Sequence, residues 1–145
     1  MQPAAAESLG GDLAAMVPWA RLGTSRDQLT GFLSASDDNK RSFSIIADGG
    51  LAGVIVVRFP WLSGPYLNLL AVLDGQRSKG VGRAALGWFE AEARAAGARN
   101  AFLCVSAFNA PAIAFYRRNG YSQATVLEDL IKDGEDEFLM RKRLR

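Results

Sequence analysis

The sequence contains no histidine, and this absence narrows the available chemistry more than any other feature of the composition. Histidine is the usual general base, the commonest zinc ligand and the partner of serine or cysteine nucleophiles. Cys104 is the single cysteine, so no intramolecular disulfide can form, which agrees with a reducing compartment. Histidine-dependent catalytic pairs are therefore excluded, and we expect no metal site.

Long apolar runs are also absent, since no run of about 18 uninterrupted apolar residues occurs, and we therefore expect no membrane span. The start, MQPAAAESLGGDLAAM, lacks a basic segment and a continuous apolar segment, so we expect no signal peptide and a cytoplasmic location. The 17 basic and 15 acidic side chains nearly cancel, which gives no reason to expect nucleic acid or a membrane as partner.

The 145 residues, of which 49% are hydrophobic, fit one domain over 1–145. Residues 1–16 are small and polar, and we expect them to form a loosely ordered lead-in. The following pattern predicts a helix over 26–35 with Ser25 as its N-cap. Three β-rich segments then predict strands at 42–47, 51–59 and 66–73. Pro60 is expected to end the second strand and residues 61–65 to form a longer turn, so these strands predict an antiparallel meander.

The second half of the chain predicts two helices between three further strands. The helices are expected over 81–96 and from an N-cap at Asn109 to Asn119. The strands are expected at 101–106, 121–126 and 137–144. One helix joins the strands at 66–73 and 101–106, which predicts that they are parallel neighbours. The pattern is that of a mixed α+β fold with about six to seven strands and about three to four helices.

A glycine-rich turn at a helix N-terminus is the most informative stretch of the chain. Residues 66–83 begin as an apolar strand, cross a polar turn and enter a helix. Backbone N–H groups at such an end have no helical partner, and the helix dipole favours negative charge. We therefore expect a phosphorylated ligand on the residues of this turn, which are Arg77, Ser78, Lys79, Gly80, Val81, Gly82 and Arg83.

Residues 80–85, GVGRAA, also match the dinucleotide pattern G-x-G-x-x-G/A, but their context disfavours a Rossmann fold. The first turn of a Rossmann fold is tight, whereas six residues, 74–79, separate the strand from Gly80. The acidic residue expected about 20 positions further on is missing, since Ala107 and Phe108 follow the next strand.

Two motifs together resemble the GCN5-related N-acetyltransferase (GNAT) superfamily. Residues 77–82, RSKGVG, are similar to its pyrophosphate loop, R-x-x-G-x-G/A. Residues 109–116, NAPAIAFY, followed by the tripeptide NGY at 119–121, are similar to its second signature, N-x-x-A-x-x-F/L-Y…G-F/Y. Both motifs occur in the family's order, separated by one helix and one strand.

The resemblance implies a GNAT-like fold whose central parallel strands splay apart to admit acyl-CoA. It also implies acetyl transfer from acetyl-CoA to a primary amine of a small molecule or peptide by direct attack. The pantetheine arm is expected along Leu70, Ala71 and Val72, with the backbone N–H near Leu70 stabilising the oxyanion. A homodimer is common in the superfamily.

The resemblance assigns Tyr116 as the general acid that protonates the leaving thiolate. Asn109, Ala112 and Tyr116 share one face of their helix and are expected to contact the cofactor. Related enzymes carry a glutamate where Tyr66 or Cys104 stands here, so no general base is assigned. A non-catalytic acyl-CoA-binding module is therefore the alternative to an enzyme. In its apolar strand, Cys104 is interpreted as an inert buried thiol rather than a nucleophile.

The acceptor side rests on weaker signals. An acidic cluster lies between residues 128 and 137, and we expect Glu128 and Asp129 to attract a cationic amine. The alternative is a solvated surface loop that balances the nearby basic residues. Trp61 and Tyr66 are also expected to line the acceptor side. The basic end, MRKRLR, is interpreted as a final strand with charged outward positions rather than a nucleic-acid site.

Overall fold

The computed structural model describes residues 1–145 and contains five helices and six strands. The helices are α1 (Pro3–Ala14), α2 (Trp19–Leu22), α3 (Arg26–Ser34), α4 (Val81–Ala95) and α5 (Ala110–Arg118). The strands are β1 (Lys40–Ala47), β2 (Gly50–Trp61), β3 (Gly64–Val72), β4 (Asn100–Ser106), β5 (Ser122–Lys132) and β6 (Glu135–Arg143). None of the helices combines the length and the apolar character that crossing a membrane requires.

All six strands form one mixed sheet in the order β1-β2-β3-β4-β6-β5. Only the central pair, β3 and β4, is parallel, and every other neighbouring pair is antiparallel. This arrangement confirms the expected meander and the parallel pair joined by one helix. Helices α1 and α3 pack on one face of the sheet, whereas α4 and α5 pack on the other face.

The N-terminal segment is an ordered helix, so the expectation of a loose lead-in over residues 1–16 was wrong. Ala6, Leu9 and Leu13 lie on one face of α1 and are fully buried. Gly10 approaches α3 so closely that a Cβ atom there would lie 2.1 Å from the hydroxyl of Thr30. The small residues that suggested disorder therefore permit close packing of α1 against α3.

The turn between β2 and β3 is shorter than expected. Strand β2 does not end before Pro60 but continues to Trp61. The pairing with β3 is irregular between Arg58 and Trp61, so Pro60 lies where no regular ladder bond is required. The turn itself consists of Leu62 and Ser63, whose φ angles of 43° and 59° are left-handed, as in a two-residue type I′ hairpin.

The last hairpin is longer than expected and includes most of the acidic cluster. Strand β5 extends to Lys132 and β6 begins at Glu135, so the connection between them has only two residues. Glu128 and Asp129 consequently lie on β5 with exposed side chains, and not in a surface loop.

A β-bulge at Asn68 reverses the side-chain orientation along β3. Val56 of β2 pairs with Leu69 and Val57 pairs with Leu67, which leaves Asn68 without an opposite residue. Leu67 therefore packs in the core beneath α4, whereas Leu69 packs on the opposite face with α1 and α3.

The two parallel strands separate just before this bulge. Strands β3 and β4 are paired only at Tyr66 with Phe102 and at Leu67 with Leu103. Beyond these positions β3 stays paired with β2, while β4 stays paired with β6. The central pair is thus splayed, as the resemblance implied, and a gap opens between the two strands.

Candidate active site

Two cavities meet at the gap between β3 and β4. The larger cavity, of about 860 Å³, is lined by the end of β3, the turn that follows it, the first turn of α4 and one side of α5. The smaller cavity, of about 350 Å³, is lined by α2, α3, β3, β4 and the hairpin of β5 and β6. Both volumes are in the usual range for small-molecule sites. Six residues line both cavities: Pro18, Trp19, Leu70, Asn109, Ala112 and Tyr116.

The glycine-rich turn forms one wall of the larger cavity. Gly80 is the N-cap of α4 and has a left-handed φ of 77°, which glycine adopts without steric cost. No side chain caps this helix end, so its first N–H groups are without a side-chain partner. All but one of the predicted turn residues line the cavity: Arg77, Ser78, Gly80, Val81, Gly82 and Arg83. The exception is Lys79, which is not a lining residue of either cavity.

Strand β3 directs backbone N–H groups into the gap at alternate positions. The N–H of Leu73 donates to the carbonyl of Ala52 in β2 at 2.8 Å. Successive N–H groups of an extended strand point to opposite edges, so those of Leu70 and Val72 point away from β2 and toward the gap. On this edge the Nε of Arg77 donates to the carbonyl of Val72 at 3.4 Å. The N–H of Leu70 therefore faces the junction of the two cavities.

Helix α5 brings its predicted residues to the same junction. The Asn109 side chain caps the helix, with Oδ1 accepting from the N–H of Ala112 at 3.4 Å. Tyr116 is 8% exposed, and burial raises the pKa of its hydroxyl above the ordinary value of 10. The phenol is therefore protonated at neutral pH and can act as a proton donor.

A buried carboxylate that the sequence did not single out lies in the smaller cavity. Glu137 is 7% exposed, and its Oε2 atom is buried without a hydrogen-bond partner. It lies on β6 directly opposite Ser106 of β4. Burial raises the pKa of Glu137, the Ser106 hydroxyl lowers it, and the charge of Glu135 raises it further. In the sequence, Glu137 is one of several neighbouring acidic residues, so the pattern did not predict that its side chain is buried.

Tyr66 and Cys104 lie on neighbouring strands of the same cavity. Burial raises the pKa of Tyr66, and Cys104 and the charge of Glu137 raise it further. Burial also raises the pKa of Cys104, although the neighbouring Tyr66 hydroxyl acts in the opposite direction. Cys104 is thus a partly buried thiol that lines the cavity, and its raised pKa disfavours the thiolate that a nucleophile requires.

Three predicted acceptor residues are not brought into the cavity. Trp61 stacks on the ring of Tyr66 with centroids 4.8 Å apart, but only Tyr66 is a lining residue. Glu128 and Asp129 do not line the cavity either. The hairpin instead contributes the apolar residues 130–131 and the carboxylate described above.

The N-terminal segment supplies part of both cavities, which the sequence did not predict. Residues 15–19 line the larger cavity, and Trp19, Leu22 and Phe32 line the smaller one. The signal that could have found this wall is the helical spacing of the apolar residues in α1, which ties the segment to α3.

Known proteins are similar to this chain in both sequence and fold. The chain matches the model of the acetyltransferase (GNAT) family over residues 12–121, more than half of its length. The protein belongs to the GNAT family. Both motifs on which the resemblance was based lie within the matched region or at its end.

Two curated proteins are similar in sequence. Streptothricin acetyltransferase of Streptomyces lavendulae is 38% identical over 110 residues, which cover 72% of this chain and 58% of the relative. An N-alpha-acetyltransferase of Sulfurisphaera tokodaii is 30% identical over 105 residues, which cover 64% of this chain and 63% of the relative. The matched region thus spans less than two thirds of the length of either protein.

A solved structure is similar over nearly the whole chain. The ribosomal-protein-S18-alanine N-acetyltransferase from Escherichia coli superposes with a TM-score of 0.76 and 26% identity. The match covers 98% of this GNAT chain and 87% of the other. The two chains therefore share the overall fold described above.

Proposed function

We propose that this GNAT protein transfers the acetyl group of acetyl-CoA to a primary amine by direct attack. The observation that carries the proposal is the junction of the two cavities. Leu70 and Tyr116 each line both cavities, so a thioester from one side and an amine from the other could meet beside them. Family membership supports acetyl-CoA as the donor and a small-molecule or peptide amine as the acceptor.

The larger cavity suits coenzyme A. Its pyrophosphate would accept hydrogen bonds from the first turn of α4, beginning at Val81, where the helix dipole favours negative charge. Arg77 and Arg83 would add positive charge from the same wall. Arg77 lies 3.4 Å from the Asp74 carboxylate in a solvent-exposed pair, and such pairs contribute little, so this arginine can turn to a phosphate at low cost.

The pantetheine arm would then follow the free edge of β3. The N–H groups of Leu70 and Val72 point into the gap, where no strand pairs with them. Ala112 and Asn109 form the opposite side of this passage. The thioester carbonyl would reach the N–H of Leu70, which can stabilise the oxyanion that forms on attack.

The reaction requires one bond to form and one to break. The lone pair of the amine forms a C–N bond with the thioester carbon, and the C–S bond then breaks. Tyr116 gives its proton to the leaving thiolate. A free thiol has a pKa of about 8.5, below that of a phenol, so this transfer depends on exclusion of water raising the pKa of the leaving thiol.

The experiment measures release of the CoA thiol from acetyl-CoA with a panel of small amines and peptides. We expect Tyr116→Phe to lower kcat by about 10²- to 10⁴-fold, because it removes a general acid. The KM for acetyl-CoA should change little, since the ring is retained.

Tyr121→Phe is the matched control. The Tyr121 hydroxyl is buried without a partner and lies outside both cavities, so its removal should leave kcat unchanged. Acetyl-CoA binding without turnover of any amine would instead support a non-catalytic acyl-CoA-binding module. Unchanged kcat in Tyr116→Phe would contradict the role of this residue.

A further inference from the structure

The smaller cavity holds one carboxylate in an otherwise uncharged lining. Of its 21 lining residues, 14 are hydrophobic, and Glu137 is the only one with an acidic or basic side chain of the Asp, Glu, Lys or Arg type. Its Oε2 atom is buried and has no hydrogen-bond partner. Leaving a buried carboxylate oxygen unpaired is costly, and a ligand that donates N–H bonds to it removes that cost.

Glu137 lines the same cavity as the two positions at which related enzymes carry a carboxylate. Those positions hold Tyr66 on β3 and Cys104 on β4. The charge of Glu137 raises the pKa of both groups. Because Glu137 pairs directly with Ser106, its side chain lies on the same face of the sheet as Cys104. The carboxylate reaches the same space from a different strand.

The walls of the smaller cavity indicate the kind of amine that fits. The apolar side chains around it come from α2, α3 and β5 and include Trp19, Leu22, Phe32, Leu130 and Ile131. The other carboxylates of the hairpin do not line it. Glu135, for example, pairs with Arg21 at 3.2 Å. An acceptor with several positive charges would find only one carboxylate in this cavity. Its remaining charges would be buried against apolar walls, at a high cost in binding free energy.

We propose that Glu137 binds the ammonium group of the acceptor and removes its proton, and that the acceptor is a primary amine with one positive charge on an apolar stem. This inference rests on the proposed function. It assigns the general base that the motifs left open and narrows the acceptor class.

Protons and bonds balance as follows. The Glu137 carboxylate takes one proton from the ammonium, and the freed lone pair attacks the thioester carbon. The C–S bond breaks, and the thiolate takes the proton of Tyr116. The new amide nitrogen loses its second proton, which restores the phenol, and Glu137 returns its own proton to solvent. The products are the N-acetylated amine, CoA thiol and one released proton.

The first test is Glu137→Gln, which keeps the shape of the side chain and removes its charge. We expect kcat/KM for the amine to fall by about 10²- to 10⁴-fold, as for loss of a general base. The KM for acetyl-CoA should stay unchanged, because Glu137 does not line the larger cavity. Asp133→Asn is the control, because this exposed carboxylate of the same hairpin lines neither cavity, and the variant should leave kcat/KM unchanged.

The pH profile separates a catalytic role from a structural one. The other titratable groups that line the cavity are Tyr66 from β3, Cys104 from β4 and Tyr116 from α5, and the charge of Glu135 on β6 acts on Glu137 from outside it. Of the groups that line the cavity, only Glu137 is a carboxylate, so the acidic limb of kcat/KM in the wild type should reflect its titration. Activity should rise as pH increases through the raised pKa of Glu137. The Glu137→Gln variant should lose this limb, and an unchanged limb would overturn the role of Glu137.

The acceptor class is tested by comparing hexylamine, phenethylamine and a peptide with an apolar N-terminal residue with spermidine and an aminoglycoside. We expect the monocationic amines to have the higher kcat/KM, and a preference for the polycations would overturn the assigned class.

Calorimetry of hexylamine binding to the protein–CoA complex gives a readout that does not depend on turnover. Binding should be at least about tenfold weaker in Glu137→Gln, which corresponds to loss of one charged hydrogen-bonded contact. Absence of turnover with every amine would contradict the proposed function, whereas equal binding by both proteins would contradict the role of Glu137.

Discussion

The environment of Glu137 favours its protonated form in the folded protein. Burial is the main cause, because a buried carboxylate loses the hydration that stabilises its charge. Folding therefore raises its pKa above the ordinary value of 4.5. The stability that this group contributes is fully present below the ordinary pKa and is lost as pH rises through the folded pKa. A site that needs this carboxylate ionised gives up some stability at neutral pH.

We predict that Glu137→Gln is more stable than the wild type at neutral pH, although it is less active. Glutamine is uncharged at every pH, so the variant does not lose stability as pH rises through the folded pKa of Glu137. The difference in unfolding free energy should grow as pH rises from about 4.5 through the folded pKa. Urea denaturation at a series of pH values measures it.

Glu128→Gln, at an exposed position of β5, is the control for this measurement and should show no comparable trend. A variant at position 137 that is less stable than the wild type throughout the range would contradict the prediction. It would mean that the ionised carboxylate has a stabilising partner in the cavity.

At the level of elements, α1 packs so closely on α3 that the residue at their contact must be small. A Cβ atom at Gly10 would lie 2.9 Å from the backbone nitrogen of Thr30 and 3.1 Å from the carbonyl of Arg26. Backbone atoms cannot move aside as a flexible side chain can. At Gly11 the nearest atoms belong to the Arg26 side chain, at 3.7 Å or more. The two adjacent glycines therefore have different structural roles.

We predict opposite effects for Gly10→Ala and Gly11→Ala. The first should destabilise the protein by about 1–3 kcal/mol, since it forces the two helices apart. The second should stabilise it by about 0.5–1 kcal/mol, because alanine is the better helix former. Thermal or chemical denaturation of the two variants measures both effects. If Gly10→Ala were as stable as Gly11→Ala, the close contact between α1 and α3 would be contradicted.

Elements with strong local signals were predicted closely. The capping box of Ser25 and Gln28 begins α3 at the expected residue, and Asn109 caps α5 as expected. Elements that depend on partners far away in the chain were predicted less well. Helix α1 needs α3 and the sheet to bury its small residues, and β5 is extended by its pairing with β6. Local periodicity does not report such partners.

On the scale of the whole molecule, the two cavities proposed for the acetyl donor and the acceptor meet at the one gap between β3 and β4. Acetyl-CoA should bind the folded protein and not the unfolded chain. Its binding should therefore stabilise the folded protein by mass action. At a concentration 100 times Kd the gain is about 2.7 kcal/mol. For a domain of this size we therefore predict a rise in Tm of roughly 5–11 °C.

NADH is the control ligand for this prediction, because residues 80–85 also match the dinucleotide pattern. It should leave Tm unchanged at the same concentration. A shift with NADH and none with acetyl-CoA would contradict the proposed cofactor.

The sequence by itself predicted the residues of the proposed cofactor side. Residues 77–83 and 109–116 are contiguous motifs, and one helix between two strands implies parallel neighbours. The residues of a turn, a cap or one helix face lie close together in the chain, so their arrangement follows from local geometry. On this side the structure changed little, apart from leaving Lys79 outside the cavity.

Only the tertiary structure brought together the residues of the proposed acceptor side. Tyr66, Cys104 and Glu137 lie on three strands far apart in the chain, and they meet because β4 pairs with β3 on one edge and β6 on the other. The strand register turns Glu137 inward, while Glu128 and Asp129 of the same acidic cluster remain outside. A charge pattern along the chain cannot distinguish these carboxylates. Their burial depends on pairing between distant segments, and that pairing is settled only when the whole sheet forms.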